Sequence, residues 1–186
     1  DHDFCANLLA EMTPWWKPGS APGYHAITQG TLQGELLRRV DGRTLGKFFR
    51  EEVAVPLSAD FHIGLRSTEY GRVAELDPPE KSIDQIVEVE PDSIAAKTFK
   101  SCVLDGTVTG TAAWREAEIP AAGVIGYARS ISRVHSVLAC GGTVDGISLL
   151  KQETIEAALT RQTFERDLVL GLGVPYGCLL YTSDAA

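Results

Sequence analysis

The sequence predicts an α+β protein in which helices predominate over strands. The first observation is a regular apolar spacing over residues 123–140, where side chains recur three or four residues apart, as on one helix face: Val124, Tyr127, Ile131, Val134 and Leu138. The second observation is that strand character is confined to three short segments, residues 60–65, 143–150 and 167–172. Because these strands are short and widely separated, little sheet is expected.

The first third of the chain is predicted to hold three helices. Residues 3–12 form the first, a longer helix covers residues 25–40, and a third covers residues 45–53. Gly30 and Gly34 lie four residues apart on the longer helix, which lowers its helix propensity but lets another backbone approach. We therefore expect these two glycines to pack against a neighbouring helix.

The middle and end of the chain alternate between polar connections and short elements. Residues 77–92 are rich in Pro, Glu and Asp, which predicts a surface connection inside one domain. A helical pattern returns over residues 93–103, and residues 105–120 are less regular. Asp145-Gly146 predicts a tight hairpin, and residues 151–160 follow it as a last short helix.

Composition excludes several classes of partner. The chain has 186 residues, of which 44% are hydrophobic, so it is long enough for one compact domain with a sizeable core. A formal charge of −8, from 17 basic and 25 acidic residues, argues against binding to nucleic acid or to an anionic membrane surface. No apolar run approaches the roughly twenty residues that a membrane span needs.

The cysteines indicate neither a disulfide framework nor a metal site. Cys5, Cys102 and Cys140 lie far apart in the sequence, and none of them belongs to a pair with zinc-ligand spacing. We interpret them as buried small apolar residues, which is typical of proteins from a reducing compartment. The expected location is therefore the cytoplasm.

A loop rich in Pro and Gly precedes the longer helix and presents one tyrosine, Tyr24. Two prolines and two glycines within six residues, 18–23, exclude a helical loop and place Tyr24 at a rigid corner. From this loop the pattern PGxxxxYHAxTxGxLxGELxRRxxGRxLGxFFREExAxPLxADFHIGL runs over residues 18–65. It resembles the second motif region of the serine β-lactamase-like hydrolases, and the resemblance continues to about Gly173. That superfamily includes class C β-lactamases, penicillin-binding proteins and family VIII carboxylesterases.

The resemblance implies a fold and a three-part active site. The fold would be the mainly helical subdomain of the β-lactamase/transpeptidase-like fold, over residues 1–177, with most of the central antiparallel sheet missing. In this superfamily a Ser-x-x-Lys helix supplies the nucleophile, a Tyr-x-Asn element supplies a tyrosine, and a Lys/His-x-Gly strand lines the far wall. The resemblance implies a small-molecule ester or amide as substrate and neither a metal nor an organic cofactor.

Tyr24 is the candidate catalytic residue, because it matches the tyrosine of the second motif. A tyrosine can act as a general base when a neighbouring ammonium group stabilises its phenolate. Ala26 stands where many members keep Asn, which favours an esterase over a β-lactamase. The alternative interpretation is a half-buried aromatic residue that pins the loop to the helix, with its hydroxyl bonded to a backbone carbonyl.

The chain contains one Ser-x-x-Lys, at Ser148 to Lys151, in the wrong context for catalysis. Catalysis needs that tetrapeptide on a helical turn, with both side chains on the same face. Here it follows the predicted hairpin and precedes a helix, where the superfamily keeps a structural turn and the residue that matches Lys151 caps the helix. The catalytic Ser-x-x-Lys is therefore expected before residue 1, and the Lys/His-x-Gly strand after residue 177.

These observations predict an internal fragment of a serine hydrolase, most simply a carboxylesterase that acts on short-chain esters and is inactive without the two missing motifs. Two alternatives stay open: a β-lactamase or D-amino peptidase of the same superfamily, and a non-catalytic helical binding module on that scaffold. Residues 178–186, CLLYTSDAA, resemble the translation of a sequencing adapter and are predicted to be a non-native tail.

Overall fold

Helices make up most of the regular structure. The computed structural model describes residues 1–78, 80, 89–101, 105–163 and 165–178. Within these ranges the α-helices are α1 His2–Glu11, α2 Thr28–Asp41, α3 Leu45–Phe49, α4 Ile94–Ser101, α5 Ala112–Glu116, α6 Ala128–Ala139 and α7 Gln152–Leu159. A π-helical turn at Arg50–Ala54 continues α3, and 3₁₀ helices cover Ser67–Arg72 and Gly106–Gly110. No helix of the described residues combines the length and apolar character that a membrane crossing requires.

The strands form two small antiparallel pairs. Strand β1, Phe61–Ile63, pairs with β2, Val124–Gly126, so that His62 lies opposite Ile125. Strands β3, Thr143–Val144, and β4, Ile147–Ser148, form the predicted hairpin around Asp145 and Gly146, whose φ angles are 49° and 80°. Positive φ at both turn residues is typical of the turn that matches strand twist. The predicted α+β class, mainly helical with short antiparallel strands, is confirmed.

The described core lies where the π-helical turn, α6 and the hairpin meet. Leu57, Val137 and Val144 are buried together, with partly buried apolar side chains around them. Arg133 on α6 links the segment of Leu57 to the hairpin. Its guanidinium donates to the Leu57 carbonyl at 3.2 Å and to the Asp145 carboxylate at 2.5 Å. The core is therefore formed by residues distant in sequence.

A charged cluster joins α1 to α2. Glu35 on α2 accepts from Arg38 at 2.8 Å and from Arg39 at 2.7 Å, and its carboxylate lies 3.2 Å from His2 Nε2 on α1. Hydrogen bonds from Arg38 and then from Arg39 lower the pKa of Glu35 to about 2. Asp3 on α1 also pairs with Arg38, at 3.0 Å. Helix α1 is thus held beside the helix that follows Tyr24.

Two sequence predictions of element type are wrong. Residues 123–127 were expected to open a helix, but Val124–Gly126 form strand β2, and α6 begins at Ala128 after Tyr127. Pairing with β1 overrides the helical spacing of Val124 and Tyr127. Residues 167–172 were expected to form a strand but form a turn, because the Asp167 carboxylate binds the amides of Val169 and Leu170.

Two predictions of packing also need correction. Leu8 of α1 and Leu36 and Val40 of α2 are exposed, Val40 to 80%. Cys5 and Cys140 were expected to be buried and are exposed thiols. Buried positions on α2 are instead the glycines, since Gly34 lies against His2 of α1 as predicted, whereas Gly30 lies against the loop residues Pro120 and Ala121.

Some predictions fall outside the described residues. They concern most of the polar connection at 77–92, the end of the predicted helix at 93–103 with Cys102, and residues 179–186 of the predicted tail. Cys178 is described, and its amide donates to the Ala158 carbonyl at 2.8 Å. The proposed origin of the tail stays a prediction.

Gly46 lets α3 and β1 approach closely. A methyl group at this position would overlap the Ile63 carbonyl oxygen and lie 2.7 Å from Oε1 of Glu118. The Glu118 carboxylate occupies this place because it accepts from the Gly46 amide at 2.8 Å and from the Thr44 hydroxyl at 2.7 Å.

We expect Gly46→Ala to lower the free energy of unfolding by about 2 kcal/mol, since backbone and carboxylate must both move. Chemical denaturation measures the change. Gly71→Ala is the matched control, because nothing lies within 4 Å of a methyl group there, and its effect should stay within about 0.5 kcal/mol. Equal effects of the two substitutions would contradict the close approach at Gly46.

Candidate functional site

The loop before α2 is braced from inside by one tryptophan. The Trp16 indole Nε1 donates to the Ala21 carbonyl at 3.0 Å, across the proline turn. Its ring also lies on Gly23, where a methyl group would come within 2.5 Å of the indole. These two contacts fix the residues immediately before Tyr24.

A second contact that holds this loop comes from a residue near the C-terminal end of the chain. The Leu168 amide donates to the Pro22 carbonyl at 3.0 Å. Leu168 is held in turn by Asp167, a fully buried residue whose carboxylate accepts from the amides of Val169 and Leu170 and from the Tyr176 hydroxyl at 2.9 Å. The loop of Tyr24 is therefore held between Trp16 and the turn at Asp167.

Tyr24 lies at the surface of a cavity of about 780 Å³. The Tyr24 side chain is 38% exposed, and its hydroxyl forms no hydrogen bond with a residue in the described part of the chain. Around it the cavity wall is largely apolar and aromatic, formed by α1, the tryptophan loop, the start of α2 and the end of α4, and includes Leu9, Met12, Trp15, Trp16, Ile27 and Leu32. A free hydroxyl at a concave surface can reach a bound molecule.

The residues next to Tyr24 share its cavity. Ala26 lines it, so no amide side chain is present at the position where the resemblance allows one. His25 also lines it, and its Nδ1 lies 3.0 Å from the Thr28 hydroxyl at the first turn of α2. The alternative interpretation of Tyr24 has its hydroxyl bonded to a backbone carbonyl. Among the described residues, the hydroxyl forms no such bond.

Ser148 and Lys151 lie away from a helical turn. Ser148 ends strand β4, and Lys151 is the extended residue immediately before α7, with φ −83° and ψ 149°. The two side chains therefore do not share a helix face, as the sequence context predicts. Within the described residues, no group of three or more His, Cys, Asp or Glu side chains is arranged to hold a metal ion.

Trp16 and Asp167 are the site residues that sequence reasoning missed. Their partners, Ala21 and Tyr176, have no motif of their own. One usable signal was present: Asp167 is of a residue type that favours turns, because an Asp side chain accepts hydrogen bonds from the backbone that follows it.

Trp16→Phe tests the inner brace of the loop. In the whole protein we expect kcat/KM to fall about tenfold, because the loop loses the bond to Ala21 and positions Tyr24 less well. Steady-state ester hydrolysis measures this. Trp114→Phe is the matched control, since the Trp114 indole nitrogen donates to no described residue. Equal losses in both variants would contradict a specific role of Trp16.

Comparisons with known proteins agree with this architecture. The chain matches the family described as Beta-lactamase over residues 1–186. It is 34% identical over 170 residues to "Esterase/beta-lactamase LipL" of Mycobacterium tuberculosis, covering 87% of this chain and 39% of LipL.

Two solved structures superpose on the whole chain. A penicillin-binding protein homolog from Caulobacter crescentus has 38% sequence identity and a TM-score of 0.84. A family VIII carboxylesterase has 33% identity and a TM-score of 0.87. The chain spans 48% of each of these proteins, about half their length. The chain therefore belongs to the β-lactamase family and forms a helical α+β subdomain of the β-lactamase-like fold.

Proposed function

We propose that the whole protein is a serine hydrolase, most simply a carboxylesterase that acts on short-chain esters. A serine outside this chain attacks the ester carbonyl, and its proton passes to the Tyr24 phenolate. The tetrahedral intermediate then expels the alcohol, which takes that proton from Tyr24. Water hydrolyses the acyl-serine and releases the acid, which regenerates the serine.

The observation that carries this proposal is the free hydroxyl of Tyr24 at the apolar cavity. A proton carrier must reach the reacting oxygen within hydrogen-bond distance, and a residue already bonded to the fold cannot do so without breaking that bond. The two braces on the loop support the same role, because they hold the tyrosine before substrate arrives. The names of LipL and of the carboxylesterase neighbour agree with ester hydrolysis.

A β-lactamase or D-amino peptidase is the second candidate, since the name of LipL includes β-lactamase. Ala26 favours the ester, because its methyl group cannot hydrogen-bond the amide of a peptide or lactam substrate. Comparison of kcat/KM for a short-chain ester and for a β-lactam in the whole protein distinguishes the two. We also propose a cytoplasmic location, which the free thiols Cys5 and Cys140 support.

The chain by itself is expected to be inactive. We expect the 186-residue chain neither to hydrolyse esters nor to react with a serine-directed fluorophosphonate, because its single Ser-x-x-Lys, at Ser148, is not on a helical turn. Mass spectrometry after incubation measures this. A labelled Ser148 would contradict the assignment of the nucleophile.

The gene itself separates a hydrolase from a non-catalytic binding module. We expect a Ser-x-x-Lys within roughly a hundred residues upstream, about one domain's span. Its absence from the complete reading frame would favour the binding module.

A further inference from the structure

We propose that the cavity beside Tyr24 binds the alcohol portion of the ester, and that the preferred alcohol is uncharged and aromatic. This inference rests on the proposed function, because the departing alcohol oxygen must approach the Tyr24 hydroxyl to receive its proton. The substituent carried by that oxygen then extends into the space around the Tyr24 ring. The walls of that space therefore select the alcohol.

The cavity is large enough to hold an aromatic ring. Its volume of about 780 Å³ lies within the range of roughly 300–1,000 Å³ that is typical of small-molecule sites. A methyl or ethyl group would leave most of this space unfilled. An aryl group would bury much more apolar surface, which favours binding in proportion to the area removed from water.

The walls of the cavity carry no charged side chain to pair with a charged alcohol. Within the described residues its lining contains no Asp, Glu, Lys or Arg, and its polar groups are His25 and the hydroxyls of Tyr24, Thr13, Thr28, Thr98 and Ser101. A carboxylate that enters such a site loses hydration and gains no ion pair, which is costly. The part of the wall that this chain supplies therefore selects against anionic alcohols.

Two indoles make the wall selective for a flat ring. Trp15 and Trp16 both line the cavity, and Trp16 cannot turn freely because it is bonded to Ala21 and packed on Gly23. Pairs of aromatic rings attract each other beyond the effect of their buried area, and the Met12 thioether adds a favourable contact with an aromatic ring. A wall of aliphatic side chains would not distinguish an aromatic ring from an alkyl chain of equal surface area.

Esters of one acid with different alcohols test this inference in the whole protein. Butanoates of ethanol, benzyl alcohol, 4-carbamoylbenzyl alcohol and 4-carboxybenzyl alcohol are compared by kcat/KM, above the usual titration range of histidine. We expect the benzyl ester to exceed the ethyl ester by about tenfold or more. The carboxybenzyl ester should fall at least about tenfold below its neutral carbamoyl analogue of equal size.

Trp15→Ala locates the preference in the cavity. The benzyl-to-ethyl ratio of kcat/KM should fall severalfold in this variant, because one of the two indoles is lost. Trp114→Ala is the matched control, because Trp114 lines a different cavity, and the ratio should keep its wild-type value. A ratio measured within one preparation is insensitive to loss of folded protein, so an unstable variant still gives an answer.

The outcomes separate this inference from the proposed function. If the wild-type whole protein hydrolyses no ester, or if Tyr24→Phe keeps full activity, the proposed function is wrong. If hydrolysis depends on Tyr24 but benzyl and ethyl esters react equally, or the carboxylate reacts as well as the amide, only the alcohol site is wrong.

Saturation-transfer NMR gives a readout that needs no turnover. We expect transfer from the whole protein to benzyl alcohol, reduced in Trp15→Ala, and little transfer to benzoate. Equal transfer to both compounds, or none to benzyl alcohol, would overturn the inference.

Discussion

Tyr24→Phe in the whole protein is expected to lower ester turnover by about two to four powers of ten, the usual contribution of a positioned proton-transfer group. The substitution removes only the hydroxyl, which forms no hydrogen bond with a described residue, so the fold loses no hydrogen bond within the described residues. Stability should therefore change by less than about 0.5 kcal/mol while kcat falls. The contrast between the two quantities identifies a chemical role.

The measurement is steady-state hydrolysis together with thermal or chemical unfolding of the same preparations. Tyr127→Phe is a suitable control, since Tyr127 is an exposed tyrosine that precedes α6. Its kcat should equal that of the wild type. A Tyr24→Phe enzyme with unchanged kcat would remove Tyr24 from the mechanism, whatever the rest of the fold does.

Asp167→Ala is expected to have the largest effect on stability, with a loss of about 3 kcal/mol in the free energy of unfolding. The carboxylate is fully buried and accepts three hydrogen bonds, from Val169 N at 2.8 Å, Leu170 N at 2.8 Å and the Tyr176 hydroxyl at 2.9 Å. Removal of a buried acceptor leaves its donors without a partner, which costs about 1–3 kcal/mol for each group that water cannot reach. The turn should therefore open.

The same substitution should also reduce turnover, because Leu168 in that turn donates to the Pro22 carbonyl of the Tyr24 loop. Tyr176→Phe is the graded control, as it removes one of the three bonds and should cost about 1 kcal/mol. Urea unfolding monitored by tryptophan fluorescence measures both. If Asp167→Ala unfolded at the same urea concentration as the wild type, the buried carboxylate would not hold the turn.

Local signals predicted those elements that depend on short stretches of sequence. The hairpin at Asp145-Gly146 and the short strand at 60–65 were predicted within a few residues of their observed bounds, because turn residues and branched side chains act locally. Helix α2 ends within one residue of its predicted end for the same reason, since Gly42 adopts the left-handed conformation that closes a helix.

Long-range contacts explain where sequence reasoning failed. Val124 sits at helical spacing from Tyr127, yet its backbone pairs with Ile63, some sixty residues earlier, and forms a strand. The turn at Asp167 depends on Tyr176 and on its contact with Pro22, which no local pattern shows.

Of the candidate site, the tyrosine could be predicted and its surroundings could not. Tyr24 was identified from a collinear pattern, and its position at the cavity depends on Trp16 and Asp167, which carry no sequence motif. Contacts of this kind are hydrogen bonds to backbone carbonyls and side-chain packing, which many residue types can form. A single sequence therefore does not single them out.

The rate at which a fluorophosphonate phosphonylates the whole protein tests the role of Tyr24. A serine-directed fluorophosphonate is added to wild-type protein and to Tyr24→Phe, and the labelled peptide and its rate of formation are followed by mass spectrometry. We expect one labelled serine, in a Ser-x-x-Lys outside residues 1–186, that reacts at least about a hundredfold more slowly in Tyr24→Phe. Label on Ser148, or equal rates in the two proteins, would contradict this expectation.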